Sequence, residues 1–178
     1  TGGIGRDMTY NSVGHLGVVG SYSHQAATAL CPDADYKGFK SFQQLVDAVV
    51  AGDIDAAILP FENSSSGPIP SILPLIVSTE LFIVQEYLQD IDHMLVGVKG
   101  ASRDEILTVY SHPQGFIQSS RFLAQYLPDV EQEPKSDTAS AVRDMIKKGD
   151  RTVAAIGSEF AADRYSASVL QAGISNRA

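Results

Sequence analysis

Gly52-Asp53-Ile54-Asp55-Ala56-Ala57-Ile58 and, about 97 positions later, Gly149-Asp150-Arg151-Thr152-Val153-Ala154-Ala155-Ile156 repeat one design. Each stretch follows an amphipathic helix pattern and runs straight into an apolar strand pattern. Ser41 opens the first helix, with Leu45, Val46, Val49 and Val50 on one face; Asp137 caps the second, which carries Val142, Met145 and Ile146. A glycine just past the last turn is the usual helix stop, because it adopts the left-handed backbone without a side-chain penalty. Two helix-Gly-Asp-strand units are either two lobes of one design or the helix, glycine, strand succession common to any α/β protein; if the duplication is real, a cleft between lobes is the natural place for a ligand.

Outward from these units the same alternation continues. Leu16 to Val19 reads as a strand ending at Gly20-Ser21, followed by a helix from Ser21 or Ser23 to Leu30, stopped by Pro32. Ile54 to Leu59 reads as a buried strand, and Glu62 to Pro68 as loop throughout. Pro70 and Pro74 leave room only for a short helix between Ile69 and Val77. Further strands are expected at Leu81 to Val84, Met94 to Val98, Leu107 to Tyr110, Thr152 to Ile156 and Val169 to Ile174. One long helix is expected from Gln114 to Tyr126, buried along Phe116, Leu123 and Leu127, and a short one from Ser158 to Tyr165. Strands joined through helices need crossover connections, so the sheets should be mainly parallel. Residues 1–14, Gly-rich and not apolar, are set aside as a tag remnant or linker. Residues 15–79 with about 167–178 form the expected first lobe, and 80–166 the second.

Composition narrows the function. The 178 residues carry 13 Lys+Arg against 21 Asp+Glu, a net charge of −8, without the basic cluster that phosphate-backbone binding needs. No apolar run approaches the roughly 20 residues of a membrane helix. The single cysteine, Cys31, can form neither an internal disulfide nor a cysteine-built zinc site, which points to a reducing, cytoplasmic setting. No phosphate-cradling glycine loop, dinucleotide fingerprint or metal-ligand spacing occurs, so no cofactor or metal is expected.

Four polar clusters follow predicted strands, where open α/β sheets place ligands. Gly20-Ser21-Tyr22-Ser23-His24 is a small-residue turn into a helix, suited either to capping or to anion binding by free N–H groups. Phe61-Glu62-Asn63-Ser64-Ser65-Ser66-Gly67 packs a carboxylate, an amide and three hydroxyls into one loop, with Glu62 as a proton donor or as an orienting partner of Asn63. Ser111-His112-Pro113-Gln114 starts the third, with Gln118 one turn beyond Gln114 and Arg121 close to the same face. His112 reads as a capping or packing residue as readily as a base. Ser136-Asp137-Thr138-Ala139-Ser140 is foremost a cap. His93 has no partner in sequence and reads as packing or bonding to backbone.

Taken in order, Ser21-Tyr22-Ser23-His24-Gln25-Ala26-Ala27, Leu59-Pro60-Phe61-Glu62-Asn63-Ser64-Ser65-Ser66-Gly67, Val109-Tyr110-Ser111-His112-Pro113-Gln114, Asp137-Thr138-Ala139-Ser140-Ala141 and Ala154-Ala155-Ile156-Gly157-Ser158 resemble the catalytic domain of prephenate dehydratase, from about Leu16 to Ile174. The resemblance implies a two-lobed α/β fold of the periplasmic-binding-protein type (type II), an active site in the cleft, and conversion of prephenate to phenylpyruvate in phenylalanine biosynthesis. It also implies a homo-oligomer, dimer or tetramer. The family's domain ends on a Thr-Arg-Phe motif. Here Ile174-Ser175-Asn176-Arg177-Ala178 contains neither its threonine nor its phenylalanine, so either that tail lies outside these residues or the dehydratase step is lost. Neither a regulatory ACT domain nor a chorismate mutase domain falls within the 178 residues, and phenylalanine feedback is not assigned.

Prephenate carries two carboxylates and a ring hydroxyl that leaves as water while carbon dioxide departs. The enzyme has to orient the ring and stabilise the leaving hydroxyl, ideally by protonating it. Ser21, Ser23, Ser111 and the helix-start amides are expected to hold the carboxylates, with His112, Gln114 and Thr138 as further substrate contacts. Asn63, Ser64 and Gln118 are expected on the ring hydroxyl, with Glu62 donating or tuning the proton. Two other readings stay open: a prephenate decarboxylase that does not aromatise the ring, and a binding module that closes on a small acid without chemistry.

Overall fold

The computed structural model describes residues 9–63 and 67–176. Within these, 9–16 and 23–88 form one unit, and 17–22 and 89–176 the other.

The first unit contains β1 (Ser12–Leu16), α1 (Tyr22–Leu30, whose first residue belongs with the other unit), β2 (Asp35–Phe39), α2 (Phe42–Val50) and β3 (Ala56–Ile58). Its sheet has the order β2-β1-β3, all parallel. Ser41 caps α2 by accepting the Gln44 N–H at 3.2 Å, and the helix buries Leu45, Val46 and Ala48. It packs so close to β1 that a Cβ on Gly14 would run into Leu45 Cδ1 and Ile54 Cδ1. A short hairpin, β4 (Glu62–Asn63) and β5 (Gly67–Pro68), and α3 (Ile72–Val77) follow.

Three expectations change here. The first strand is Ser12–Leu16 rather than Leu16 to Val19, so positions 12–14 are central in the fold and not a linker; positions 1–8 lie outside the described residues. Gly14 and His15 gave no strand signal, yet Val13, Gly14 and His15 are all buried because β1 is flanked on both edges. Glu62-Asn63 and Gly67-Pro68 pair instead of forming open loop. Leu81 to Val84 is not a strand, since nothing pairs with it among the described residues; Phe82 is 86% exposed.

The second unit contains β6 (Met94–Gly97), a 3-10 turn at Arg103–Glu105, β7 (Thr108–Ser111), α4 (Pro113–Gln118), α5 (Ser120–Tyr126), β8 (Glu131–Pro134), α6 (Thr138–Lys148), β9 (Val153–Gly157), α7 (Glu159–Tyr165) and β10 (Ser168–Gln171). The sheet order is β10-β6-β9-β7-β8. Its β8-β7-β9 part is parallel and has the same order as β2-β1-β3, so the repeat read at Gly52 and Gly149 corresponds to one shared topology. Both glycines turn with positive φ, 76° and 68°. β6 and β10 add antiparallel strands, so this sheet is mixed. β9 is buried at every position, with Ala155 packed among Val96, Val142 and Met145 and its neighbours Ala154 and Ile156 among Val109, Leu123 and Leu127. A strand covered on both faces reads as an unbroken apolar run, which is why it was visible in the sequence.

Here too the structure corrects the reading. Residues 167–178 were expected with the first lobe, but β10 pairs with β6 and places the described part of that stretch in the second unit. The boundary falls after Leu88 rather than at 79/80. The helix expected from Gln114 to Tyr126 breaks at Ser119 (φ −116°, ψ 13°) into α4 and α5. The Asn176 side chain holds that break: its amide donates to Ile117 O at 2.9 Å and Ser120 Oγ at 3.0 Å, and its carbonyl accepts the Arg121 N–H at 3.1 Å.

Candidate active site

At the C-terminal end of β7, Ser111 is fully buried, and its hydroxyl has no hydrogen-bond partner among the described residues. His112 caps α4, its Nδ1 accepting the Gln114 N–H at 3.1 Å, and Pro113 supplies the preset φ of a first helical residue. The capping alternative for exposed His112 is therefore realised. Gly115 faces Ser111: a Cβ there would collide with Ser111 Oγ and lie 3.6 Å from Thr138 Cγ2. Only glycine lets α4 start this close to β7, and the same approach brings Thr138 of α6 to the Ser111 side. Asp137 is the α6 cap, accepting the Ser140 N–H and the Ser140 hydroxyl, each at 2.7 Å. The third and fourth polar clusters of the sequence thus meet.

Gln118, half-buried at the end of α4, has its carbonyl 2.7 Å from His93 Nε2. His93 Nδ1 lies 3.1 Å from the Tyr22 hydroxyl, which is also 3.2 Å from Asp92 O. His93 is only 3% exposed, so the expectation of plain packing or backbone bonding is replaced by a side-chain chain, Tyr22-His93-Gln118. No spacing rule predicted it, because the partners stand 71 and 25 positions away. Ser21 is buried beside Tyr22 in the same unit, behind Gly20, whose Cβ position would touch Ala161 Cα at 3.3 Å. These polar side chains of the unit are hydroxyls, amides and imidazoles, apart from the Asp137 cap. Such uncharged donors can bind carboxylates without the strong ion pairs that would retain a product.

In the first unit, Asn63 is half-buried and Glu62 exposed on β4, opposite Gly67 and Pro68 of β5; Ser64 lies outside the described residues. Ser23 is half-buried in α1, and Gln114 is half-buried in α4 of the second unit. Arg121, expected beside the glutamines, is exposed and sits in α5 beyond the break. Among the described residues, no group of three or more His, Cys, Asp or Glu side chains is placed to hold a metal ion. None of the helices there is long and apolar enough to cross a membrane.

The first unit also buries two stacked histidines, His15 and His24, with ring centroids 4.6 Å apart and Tyr36 edge-on to His24. Burial lowers the proton affinity of His15 against the small opposing effect of its bond to Leu16 O. Burial likewise lowers that of His93, outweighing the Gln118 bond and the Asp92 charge. Below about pH 6.5 the unfolded chain therefore binds more protons than the folded one, and stability falls as pH drops. The loss levels off only below the folded values. Thermal melts should show Tm declining between pH 7.5 and 5.5, and His15→Phe, which keeps an aromatic stack, should flatten that decline. An unchanged slope in the variant would exclude His15 as a source.

Two α/β units, each with a parallel three-strand arrangement of one order, define a doubled α/β class of domain. The model of the family described as prephenate dehydratase matches residues 13–178. The chain belongs to the prephenate dehydratase family. It is 35% identical over 171 residues to the bifunctional chorismate mutase/prephenate dehydratase of Buchnera aphidicola subsp. Schizaphis graminum, covering 93% of this chain and 44% of that protein. To the chloroplastic arogenate dehydratase 3 of Arabidopsis thaliana it is 33% identical, over 93% of this chain and 39% of that protein. The crystal structure of the Arthrobacter aurescens prephenate dehydratase in complex with L-Phe superimposes with a TM-score of 0.85 at 25% identity, over 93% of this chain and 56% of that one. The chain thus spans less than half the length of these two sequence relatives.

Proposed function

We propose that this chain is the dehydratase portion of an enzyme that converts prephenate to phenylpyruvate, water and carbon dioxide. The observation that carries the reading is the coincidence of a family match over residues 13–178 with a buried Ser111 hydroxyl, unpartnered among the described residues, beside the Gln118 helix. Aromatisation drives the reaction, so the protein's work is to hold the ring and ease departure of the hydroxyl. Ser21, Ser23, Ser111, His112, Gln114 and Thr138 bind the substrate, chiefly at its carboxylates. Asn63, Ser64 and Gln118 act on the leaving hydroxyl, with Glu62 supplying or tuning the proton. Uncharged donors suit an acidic protein that binds a dianion, because hydrogen bonds aimed at developing charge act mainly in the transition state.

The same proposal includes a cytoplasmic homo-oligomer, dimer or tetramer, in keeping with the single free Cys31 and with the resemblance. Incubation of the native protein that contains this chain with prephenate, followed by ultraviolet absorbance, tests the activity. Phenylpyruvate is expected. A non-aromatic keto acid would indicate decarboxylation alone, and saturable binding without turnover a binding module; either result overturns the proposal. Arogenate, the substrate in the Arabidopsis relative's name, belongs in the same assay, and phenylalanine formed from it faster than phenylpyruvate from prephenate would reassign the substrate.

A further inference from the structure

We propose that His93, held by Tyr22, is a positioning residue that fixes which end of the Gln118 side-chain amide faces the substrate. The inference rests on the reading that Gln118 acts on the substrate. A glutamine amide has two ends of nearly equal shape and opposite hydrogen-bonding character: the NH2 donates and the carbonyl accepts. To assist a departing hydroxyl or to grip a carboxylate, the donating end must face the substrate. His93 bears on that choice, because its Nε2 lies 2.7 Å from the Gln118 carbonyl oxygen. A carbonyl only accepts, so Nε2 carries the hydrogen, and the NH2 is the end left pointing away from the imidazole.

Tyr22 completes the selection. With Nε2 protonated, the neutral ring has an accepting Nδ1, and the Tyr22 hydroxyl 3.1 Å away donates to it. The ring is buried, and burial favours its neutral form, leaving the bonds to Tyr22 and Gln118 to select the tautomer. If a second proton does reach Nδ1, the Tyr22 hydroxyl can turn to Asp92 O at 3.2 Å and accept from the ring, and Nε2 still donates to Gln118. The amide therefore keeps its orientation in both protonation states. Outer groups that orient metal-ligating side chains carry about 10- to 100-fold of affinity or activity, and by analogy a loss of about tenfold or more is expected here.

The direct test is nitrogen-15 NMR of the His93 ring in the unmodified chain at neutral pH, which needs no variant and no turnover. A protonated Nε2 with a bare Nδ1 is expected. A protonated Nδ1, or averaging between the two tautomers, would mean the amide is reversed or free to flip and would overturn the inference. Kinetics supply the second arm. His93→Leu should lower kcat by about tenfold or more with KM moving less, and His93→Gln, which restores an N–H at similar reach, should recover most of the loss. Equal losses in both variants would show that His93 matters only for packing. Should Gln118→Ala itself keep wild-type turnover, the catalytic reading of Gln118 falls, while the ring tautomer still decides whether His93 orients the amide.

Discussion

Gln118→Ala and Asn63→Ala should each lower kcat for prephenate about 100- to 1000-fold, the loss typical of a donor that acts only on developing charge. The two variants should differ in stability. Asn63 sits half-buried on a two-residue hairpin strand, and its truncation removes little packing. Gln118 is the acceptor of the buried His93 Nε2–H, so truncating it leaves a buried donor unsatisfied, at a cost of about 1–3 kcal/mol. For a chain of this size that corresponds to a fall in Tm of a few degrees. Steady-state kinetics paired with thermal melts read both quantities. Wild-type turnover in both variants, with the fold intact, would remove these two side chains from the mechanism.

Ser111→Ala separates function from stability in the opposite sense. The hydroxyl is fully buried and has no partner among the described residues, so the folded chain already bears the desolvation cost of an unmade hydrogen bond. Replacing the hydroxyl with hydrogen removes that cost. Tm should stay level or rise, while kcat falls about 100-fold or more if the hydroxyl serves the substrate. A structural serine would behave the other way round, losing stability while leaving turnover intact. Gly115→Ala is the companion variant: its Cβ would collide with Ser111 Oγ and push the hydroxyl from its place. It should reproduce the loss of kcat of Ser111→Ala and, unlike it, lose stability as well. Turnover within twofold of wild type in Ser111→Ala would exclude the assigned role.

Much of this molecule is legible in its sequence, and the reason is locality. Caps such as Ser41 and Asp137, glycine stops at Gly52 and Gly149, and the unbroken apolar run of β9 are decided by neighbours within a few residues. The doubled topology followed from them, and so did the position of Ser111 at a strand end. What failed was non-local. The polar strands β2 and β8 exist because β1 and β7 have open edges to pair with, not because Asp35 to Phe39 or Glu131 to Pro134 favour strands. Gly14 and His15 became central strand through burial on both flanks, and the α4–α5 break is held by Asn176, more than 50 positions along the chain. The sequence by itself therefore determined the family, the repeated α/β design and the polar residues available for chemistry. Only the tertiary structure decided how those residues are supported: Tyr22 and His93 behind Gln118, and Gly115 against Ser111. Side-chain hydrogen bonds and backbone close approaches depend on distances in space, and a linear pattern does not encode which distant segments will meet.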